Sequence, residues 1–291
     1  MQKPVRRLVV VAILGAIACG IGIDRLADGG FPGAARTLYF KATGTMLVRG
    51  LVLHLHPGDR VITRELLATG VWEQTETELF LREVGPGDVV IDVGANVGYY
   101  TVLAANEVGA EGKVIAFEPD PDNFSYLKKS VEANGFKNVV LEQKALSNAP
   151  GSVSLYLNDQ NKGDHRLFPA DERRSSTTVE AIAFDDYDLG GRSVSFIKID
   201  TQGAEGAILE GMLRTLRANR DVDLAVEFWP HGLTLAGYSA RQLAERFTEL
   251  SFTQVFEISE SRRSVERTSF DALIEQHTGI ETSFTNIHIS R

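Results

Sequence analysis

The chain has 291 residues, 43% of them hydrophobic and 24% charged, enough apolar material for one core domain with additions. A net charge of -9, with no basic stripe interleaved with aromatics, argues against DNA or RNA as a partner. Cys19 is the only cysteine and the six histidines lack an H-E-x-x-H spacing, so no internal disulfide is possible and no metal is demanded.

In chain order, Lys3, Arg6 and Arg7 precede an uncharged apolar run at residues 8–23. At 1.5 Å per residue it reaches about 24 Å, short of a ~30 Å hydrocarbon core, so residues 1–30 read as either a signal-like segment or a membrane-associated one. Residues 31–87 read as an extension covering one end of a sheet, with a hairpin in "MLVRGLVLHLHPGDRVI" turning at Pro57-Gly58-Asp59 and a helix over 74–83. His54 and His56 alternate on that hairpin and are expected to share one exposed face.

Residues 88–124, "DVVIDVGANVGYYTVLAANEVGAEGKVIAFEPDPDNF", carry the most information. Val89, Val90, Ile91 and Val93 form the β-branched run of a strand buried on both faces. A glycine turn, a helix over 97–108 and a second strand over 113–117 complete a βαβ unit, and ligands bind in such folds where the first strand meets its helix. Dinucleotide binders place G-x-G-x-x-G there, whereas this turn reads Asp92-Val-Gly94-Ala-Asn96-Val-Gly98. Asp92 would repel a pyrophosphate but could face an ammonium, and Glu118 can accept both hydroxyls of a ribose. An adenosine that carries an amino acid meets both demands, which points to S-adenosylmethionine. An NAD-dependent oxidoreductase on the same unit is the alternative, disfavoured by Asn96 in place of the middle glycine; a non-catalytic membrane-tethered binding protein is a second.

Downstream, the pattern predicts a helix over 121–134, strands over 139–144, 151–157 and 178–182, a polar loop between the last two that suits a substrate, and a strand over 194–200. A helix over 207–218, a strand over 224–228, a helix over 240–250 and strands over 253–258 and 284–289 follow. The whole is an α/β sheet with an antiparallel addition near its end.

The segments "GVWEQTETELF", "GDVVIDVGANVGYYT", "AFEPDPDNF", "FIKIDTQGAEGAILEGM", "AVEFWP" and "TNIHI" resemble the FkbM family of S-adenosylmethionine-dependent methyltransferases, over about residues 50–291. The resemblance implies a class I methyltransferase, Rossmann-like fold with a seven-stranded, mostly parallel sheet over 88–291. It also implies methyl transfer, often to an oxygen of a sugar, polyketide or other metabolite. A small-molecule or glycan hydroxyl is therefore the expected acceptor. Because the cofactor is cytosolic, a cytoplasmic catalytic domain with 8–23 as a membrane attachment is favoured, although Lys3, Arg6 and Arg7 argue for the opposite orientation.

Asp92, Gly94, Asn96, Gly98, Glu118 and Ala145 are the expected cofactor residues, with Ala145 against the adenine and Tyr99 a further candidate. Lys198, Asp200 and Glu205 cluster where a strand gives way to a helix, and are read as acceptor-side groups, with Asp200 the first candidate base. The competing reading is a Lys198–carboxylate salt bridge with Glu205 as helix-terminal charge. Glu227 could bind an acceptor hydroxyl, and His165 and His231 are rival bases.

Overall fold

The computed structural model describes residues 32–169 and 174–291. The apolar run at 8–23 lies outside the described residues, and among those described no helix is long and apolar enough to cross a membrane.

The leading part contains helix α1 (Gly33–Thr43), strands β1 (Thr45–Val48) and β2 (Leu51–His54), and helices α2 (Ile62–Thr69) and α3 (Gln74–Glu83). The hairpin turns at Arg49-Gly50, not at Pro57-Gly58-Asp59, because Val48 pairs with Leu51 and leaves a two-residue loop. Both loop residues have positive φ (48° and 83°), the tight turn whose twist matches paired strands. Pro57-Gly58-Asp59 instead leads into α2, where the Asp59 carboxylate accepts the Thr63 N–H. Of the two histidines, His54 ends β2, while His56 lies beyond the hairpin with its ring 5.0 Å from that of Tyr126.

Strands β3 (Val89–Val93), β4 (Lys113–Phe117), β5 (Val139–Glu142), β9 (Phe196–Ile199) and β10 (Asp223–Phe228) are parallel. Val89, Ile91 and Val93 enter one apolar core and Val90 the other, as the period of two requires. Helices α4 (Tyr99–Val108) and α5 (Pro121–Asn134) connect β3, β4 and β5; α5 carries Pro121 in its first turn and is capped by Asp120, which accepts the Asn123 N–H.

Strand β13 (Thr285–Ser290) enters antiparallel between β10 and β11 (Gln254–Ser259). The order β5-β4-β3-β9-β10-β13-β11 is a seven-stranded, mostly parallel, Rossmann-like sheet with β13 antiparallel, the architecture that the family resemblance implies. An eighth strand, β12 (Ser264–Arg267), extends the edge; its sequence "SVER" has one apolar residue and gave no strand signal.

Three other expectations change. The strand expected over 139–144 ends at Glu142, and β6 (Ala145–Leu146) pairs instead with β8 (Ser176–Ile182). With β7 (Gly151–Tyr156), these strands make a separate three-stranded sheet. The helix expected over 207–218 is two helices, α6 (Glu205–Glu210) and α7 (Leu213–Ala218), because the Asp185 carboxylate accepts the N–H groups of Arg214 and Thr215 at 2.8 and 2.7 Å and starts a new helix there. Helices α8 (Pro230–Leu235) and α10 (Phe270–His277), either side of the expected α9 (Ala240–Glu249), had no expectation from sequence.

Candidate active site

The turn after β3 is built by positive φ at Gly94 (84°), Asn96 (51°) and Gly98 (93°). A side chain at Gly94 would put its first carbon 2.0 Å from the Asp200 carbonyl oxygen, so the glycine lets the β3 turn lie against the end of β9. The Asn96 N–H donates to Glu118 Oε2 at 2.8 Å and the Asp120 N–H to Oε1 at 2.9 Å. These bonds aim the Glu118 carboxylate, at the end of β4, while each oxygen keeps a lone pair for a ligand. Burial pushes its pKa up to about 8, outweighing the two N–H donors that favour the ionised form.

Gly94, Glu118 and Ala145 line one cavity with Phe117, Leu146 and Leu155. Apolar walls for a base, with Glu118, Asn96, Asn123 and His165 among the polar side chains beside them, suit this slot to the adenine and ribose of the expected cofactor. Gly98 lies outside this cavity; its missing side chain admits Leu127, which would otherwise be 2.7 Å away, so it packs α5 against the turn.

A larger cleft of about 540 Å³ adjoins the slot and shares Gly94, Asn96, Gly163, Asp200 and Gln202 with it. Asp92, Lys198 and Glu227 open into this cleft. Asp92 is buried and accepts from Thr101 Oγ1 at 2.5 Å, and burial holds its pKa up at about 6. Lys198 Nζ sits 2.9 Å from Glu76 Oε1, 3.6 Å from Asp200 Oδ2 and 4.4 Å from the centre of the Tyr100 ring. Burial alone would lower the Lys198 pKa, but Glu76, Asp200 and Glu73 outweigh it and hold the ammonium charged above its ordinary range. Glu227 is bound by Gln202 through both its N–H (3.0 Å) and its side-chain amide (2.8 Å). Burial first, then Asp200 and Glu205, push Glu227 well above the usual carboxylate range.

The cluster expected at Lys198, Asp200 and Glu205 is therefore divided. Glu205 lies outside both cavities, where Oε1 accepts from Thr201 Oγ1 (2.8 Å) and from the N–H groups of Thr201 and Gly203, tying the turn before α6. Burial raises its pKa to about 7. His165 lines the slot rather than the cleft, and His231 lines neither cavity, its ring 5.9 Å from that of Trp229. Tyr99 faces the cleft, and its hydroxyl is 3.2 Å from Thr77 Oγ1.

Sequence reasoning missed the contribution of the leading part. Glu73, in left-handed conformation at φ 43°, faces the cleft, and burial followed by the neighbouring Glu76 raises its pKa well above normal. Asn286 of β13 donates to Glu76 Oε2 at 2.6 Å, and Glu260 accepts the Thr75 and Glu76 N–H groups at the start of α3. The one signal in the sequence was the acidic stretch "EQTE" inside a segment already noted for its family resemblance. Trp72, Trp229 and Phe284 give the cleft aromatic walls, and the Arg166 guanidinium lies 4.5 Å from the centre of the Trp229 ring. Among the described residues, no group of three His, Cys, Asp or Glu side chains is arranged to hold a metal ion.

Residues 92–232 match the methyltransferase FkbM domain. Two curated relatives are similar to the chain. The hexuronic acid methyltransferase AglP of Haloferax volcanii is 29% identical over 150 residues, 50% of this chain and 59% of the relative. Methyltransferase 1 of Beauveria bassiana is 23% identical over 144 residues, 42% of this chain and 57% of the relative. The chain thus spans less than two thirds of either relative. Among solved structures, the methyltransferase FkbM of Methylobacillus flagellatus KT aligns with a TM-score of 0.43 at 15% identity, over 70% of this chain and 43% of that one.

Proposed function

We propose that the chain, an FkbM methyltransferase protein through its residues 92–232, transfers a methyl group from S-adenosylmethionine to a hydroxyl of a glycan or small metabolite. The observation that carries this reading is the pair of adjoining cavities, one fitted to adenosine and one lined by aromatic rings and carboxylates, meeting at Gly94, Asn96, Asp200 and Gln202. When bound, the cofactor supplies an electrophilic methyl group on a sulfonium.

Each residue then has a task set by its surroundings. Glu118 accepts the ribose hydroxyls, the slot around Ala145 holds the adenine, and Asp92 is the carboxylate offered to the ammonium. Asp200 is partly open and borders both cavities, so it can take the proton of an acceptor hydroxyl as that oxygen bonds to the methyl carbon. Lys198 cannot serve as base, because Glu76 holds it charged; its ammonium, 3.6 Å from Asp200 Oδ2, can fix the direction of that carboxylate. Glu227, pushed toward its protonated form, can orient a second hydroxyl. Trp72 and Trp229 provide faces on which a sugar ring can stack, and alignment in such a site supplies roughly 7–11 kcal/mol of a transfer barrier.

The relative from Haloferax volcanii is named for hexuronic acid. In this chain Asp92, Asp164, Asp200, Glu260 and Glu281 line the cleft, against Lys198 and Arg166 as cations, which suits a hydroxylated acceptor without an acid group of its own. Incubation with methyl-labelled cofactor and a panel of neutral sugars, uronic acids and hydroxylated metabolites tests the reading. Label in a base-stable ether of a neutral sugar is the expected result, and label in amines, or in none of the panel, contradicts it.

A further inference from the structure

We infer that Asn123 and His165 complete the cofactor's ribose site, His165 being carried on residues 158–168 beyond β7, and that this segment acts as a strap over the slot. The inference rests on the proposal that the slot holds S-adenosylmethionine.

The loop is fastened at two points to the cofactor turn and the helix beside it. The Lys162 carbonyl accepts from Asn96 Nδ2 and from Asn123 Nδ2, both at 2.9 Å, and the Lys162 N–H donates to Asp59 Oδ1 at 3.0 Å. These bonds fix the orientation of the Asn123 amide: Nδ2 is spent on Lys162, so Oδ1 faces the other way. Asn123 is 1% exposed and lines the slot, yet its Oδ1 has no hydrogen-bond partner.

His165 has the complementary deficiency. The Asn158 N–H donates to its Nδ1 at 3.0 Å, so in the neutral ring the proton sits on Nε2. The His165 side chain is 7% exposed and lines the slot, but Nε2 is 3.6 Å from Asp120 Oδ2, too far for a hydrogen bond, and has no other partner. A buried acceptor and a buried donor are thus left without a hydrogen bond on two residues that line the same cavity as Glu118. Buried polar groups are almost always satisfied, so an unpaired pair in one cavity marks where a ligand bonds. A hydroxyl both donates and accepts, so the ribose can donate to Asn123 Oδ1 and Glu118 while accepting from His165 Nε2–H.

Calorimetry on the full chain tests this without any acceptor, using S-adenosylhomocysteine and its 2′-deoxy and 3′-deoxy analogues. His165→Phe should weaken S-adenosylhomocysteine about tenfold, the effect of one lost hydrogen bond, and His165→Gln, which keeps a donor, should restore most of it. The His165→Phe loss should shrink to less than about twofold for the analogue lacking the hydroxyl that His165 meets. Asn123→Leu should show the same dependence on a hydroxyl. Equal binding by wild type and His165→Phe, or an equal loss for all three ligands, overturns the inference. Should His165→Phe not fold, the nitrogen NMR signals of His165 in the wild type decide it: a change at Nε2 on adding S-adenosylhomocysteine, absent with one deoxy analogue, is expected, and no change overturns it. A wild type that binds none of the ligands contradicts the proposed cofactor itself, a result distinct from these.

Discussion

Lys198 and Glu76 meet at 2.9 Å across 122 residues of chain, both almost wholly buried. The pair joins the start of α3 to the end of β9, and Asn286 of β13 holds the other Glu76 oxygen. Breaking a buried pair from one side leaves an uncompensated charge, at about 3–5 kcal/mol. Glu76→Gln and Lys198→Met should each lower the melting temperature by on the order of 10 °C, while the double variant Glu76→Leu/Lys198→Met should lose less than the two singles added. Thermal unfolding followed by circular dichroism checks this, and additive losses would show that the two residues act separately.

Asp200 gives a prediction about chemistry. Asp200→Asn keeps the shape and removes the charge that would take a proton, so turnover should fall by about 10²-fold or more while cofactor affinity changes little. Its contact with Lys198 is the longer one, 3.6 Å, so its loss should cost less stability than that of Glu76. Rates on an acceptor found by screening, set beside S-adenosylhomocysteine affinity, check it; near-normal turnover would move the role of base to solvent.

Gly94→Ala should be disruptive out of proportion to one methyl group. The residue has φ 84°, and the added carbon would lie 2.0 Å from the Asp200 carbonyl oxygen, a backbone atom that cannot swing aside. Both cavities border this turn, so cofactor affinity should fall at least tenfold, or folded protein should be lost. Calorimetry and the yield of folded protein read these outcomes, and an unaffected Gly94→Ala protein would mean that the turn is not so constrained.

The carboxyls of Glu118, Asp92 and Glu205 give a pH dependence of definite sign. Their folded pKa values, about 8, about 6 and about 7, are all raised by burial above the ~4 of an unfolded carboxyl. At these three groups the folded ligand-free protein binds more protons than the unfolded chain, so their contribution to stability falls as pH rises from about 4 through about 8; His54, His56 and His277, whose pKa values burial lowers, oppose it only below their ordinary range near 6.5. The melting temperature should be higher at pH 6 than at pH 8.5, and Glu118→Gln should flatten the upper part of that slope. A melting temperature rising over this interval would contradict the burial argument.

Much of the scaffold was legible because it depends on local pattern. The run at Val89–Val93 with its glycine turn, the cap Asp120 with Pro121, and the closing Gly135 each mark an element boundary in a few residues. The hairpin was misplaced because Arg49, a non-glycine residue at positive φ, gives no turn signal, whereas Pro57-Gly58-Asp59 gives a strong one that serves α2 instead. In the site, Glu118 and Ala145 could be placed by counting strands, since ligands lie at strand ends. The partner of Lys198 could not, because Glu76 reaches it from a helix that precedes the first strand of the sheet, and no spacing rule connects them. The same holds for His165, which lines the slot beside Glu118 while its loop neighbours Asp164 and Arg166 line the larger cleft.

Whether the slot beside Glu118 binds S-adenosylmethionine is open to a single titration. Calorimetry of wild type, Glu118→Ala and Asp92→Ala with S-adenosylhomocysteine, with NAD as the control ligand, should show saturable binding of S-adenosylhomocysteine to wild type and none of NAD. At pH 8.5, where both carboxyls are largely ionised, both variants should remain folded and bind roughly ten- to hundredfold more weakly, since each loses charge-assisted hydrogen bonds worth ~1.5–3 kcal/mol. Binding of NAD in preference to S-adenosylhomocysteine, or equal S-adenosylhomocysteine affinity in wild type and both variants, would mean that this slot is not an S-adenosylmethionine site.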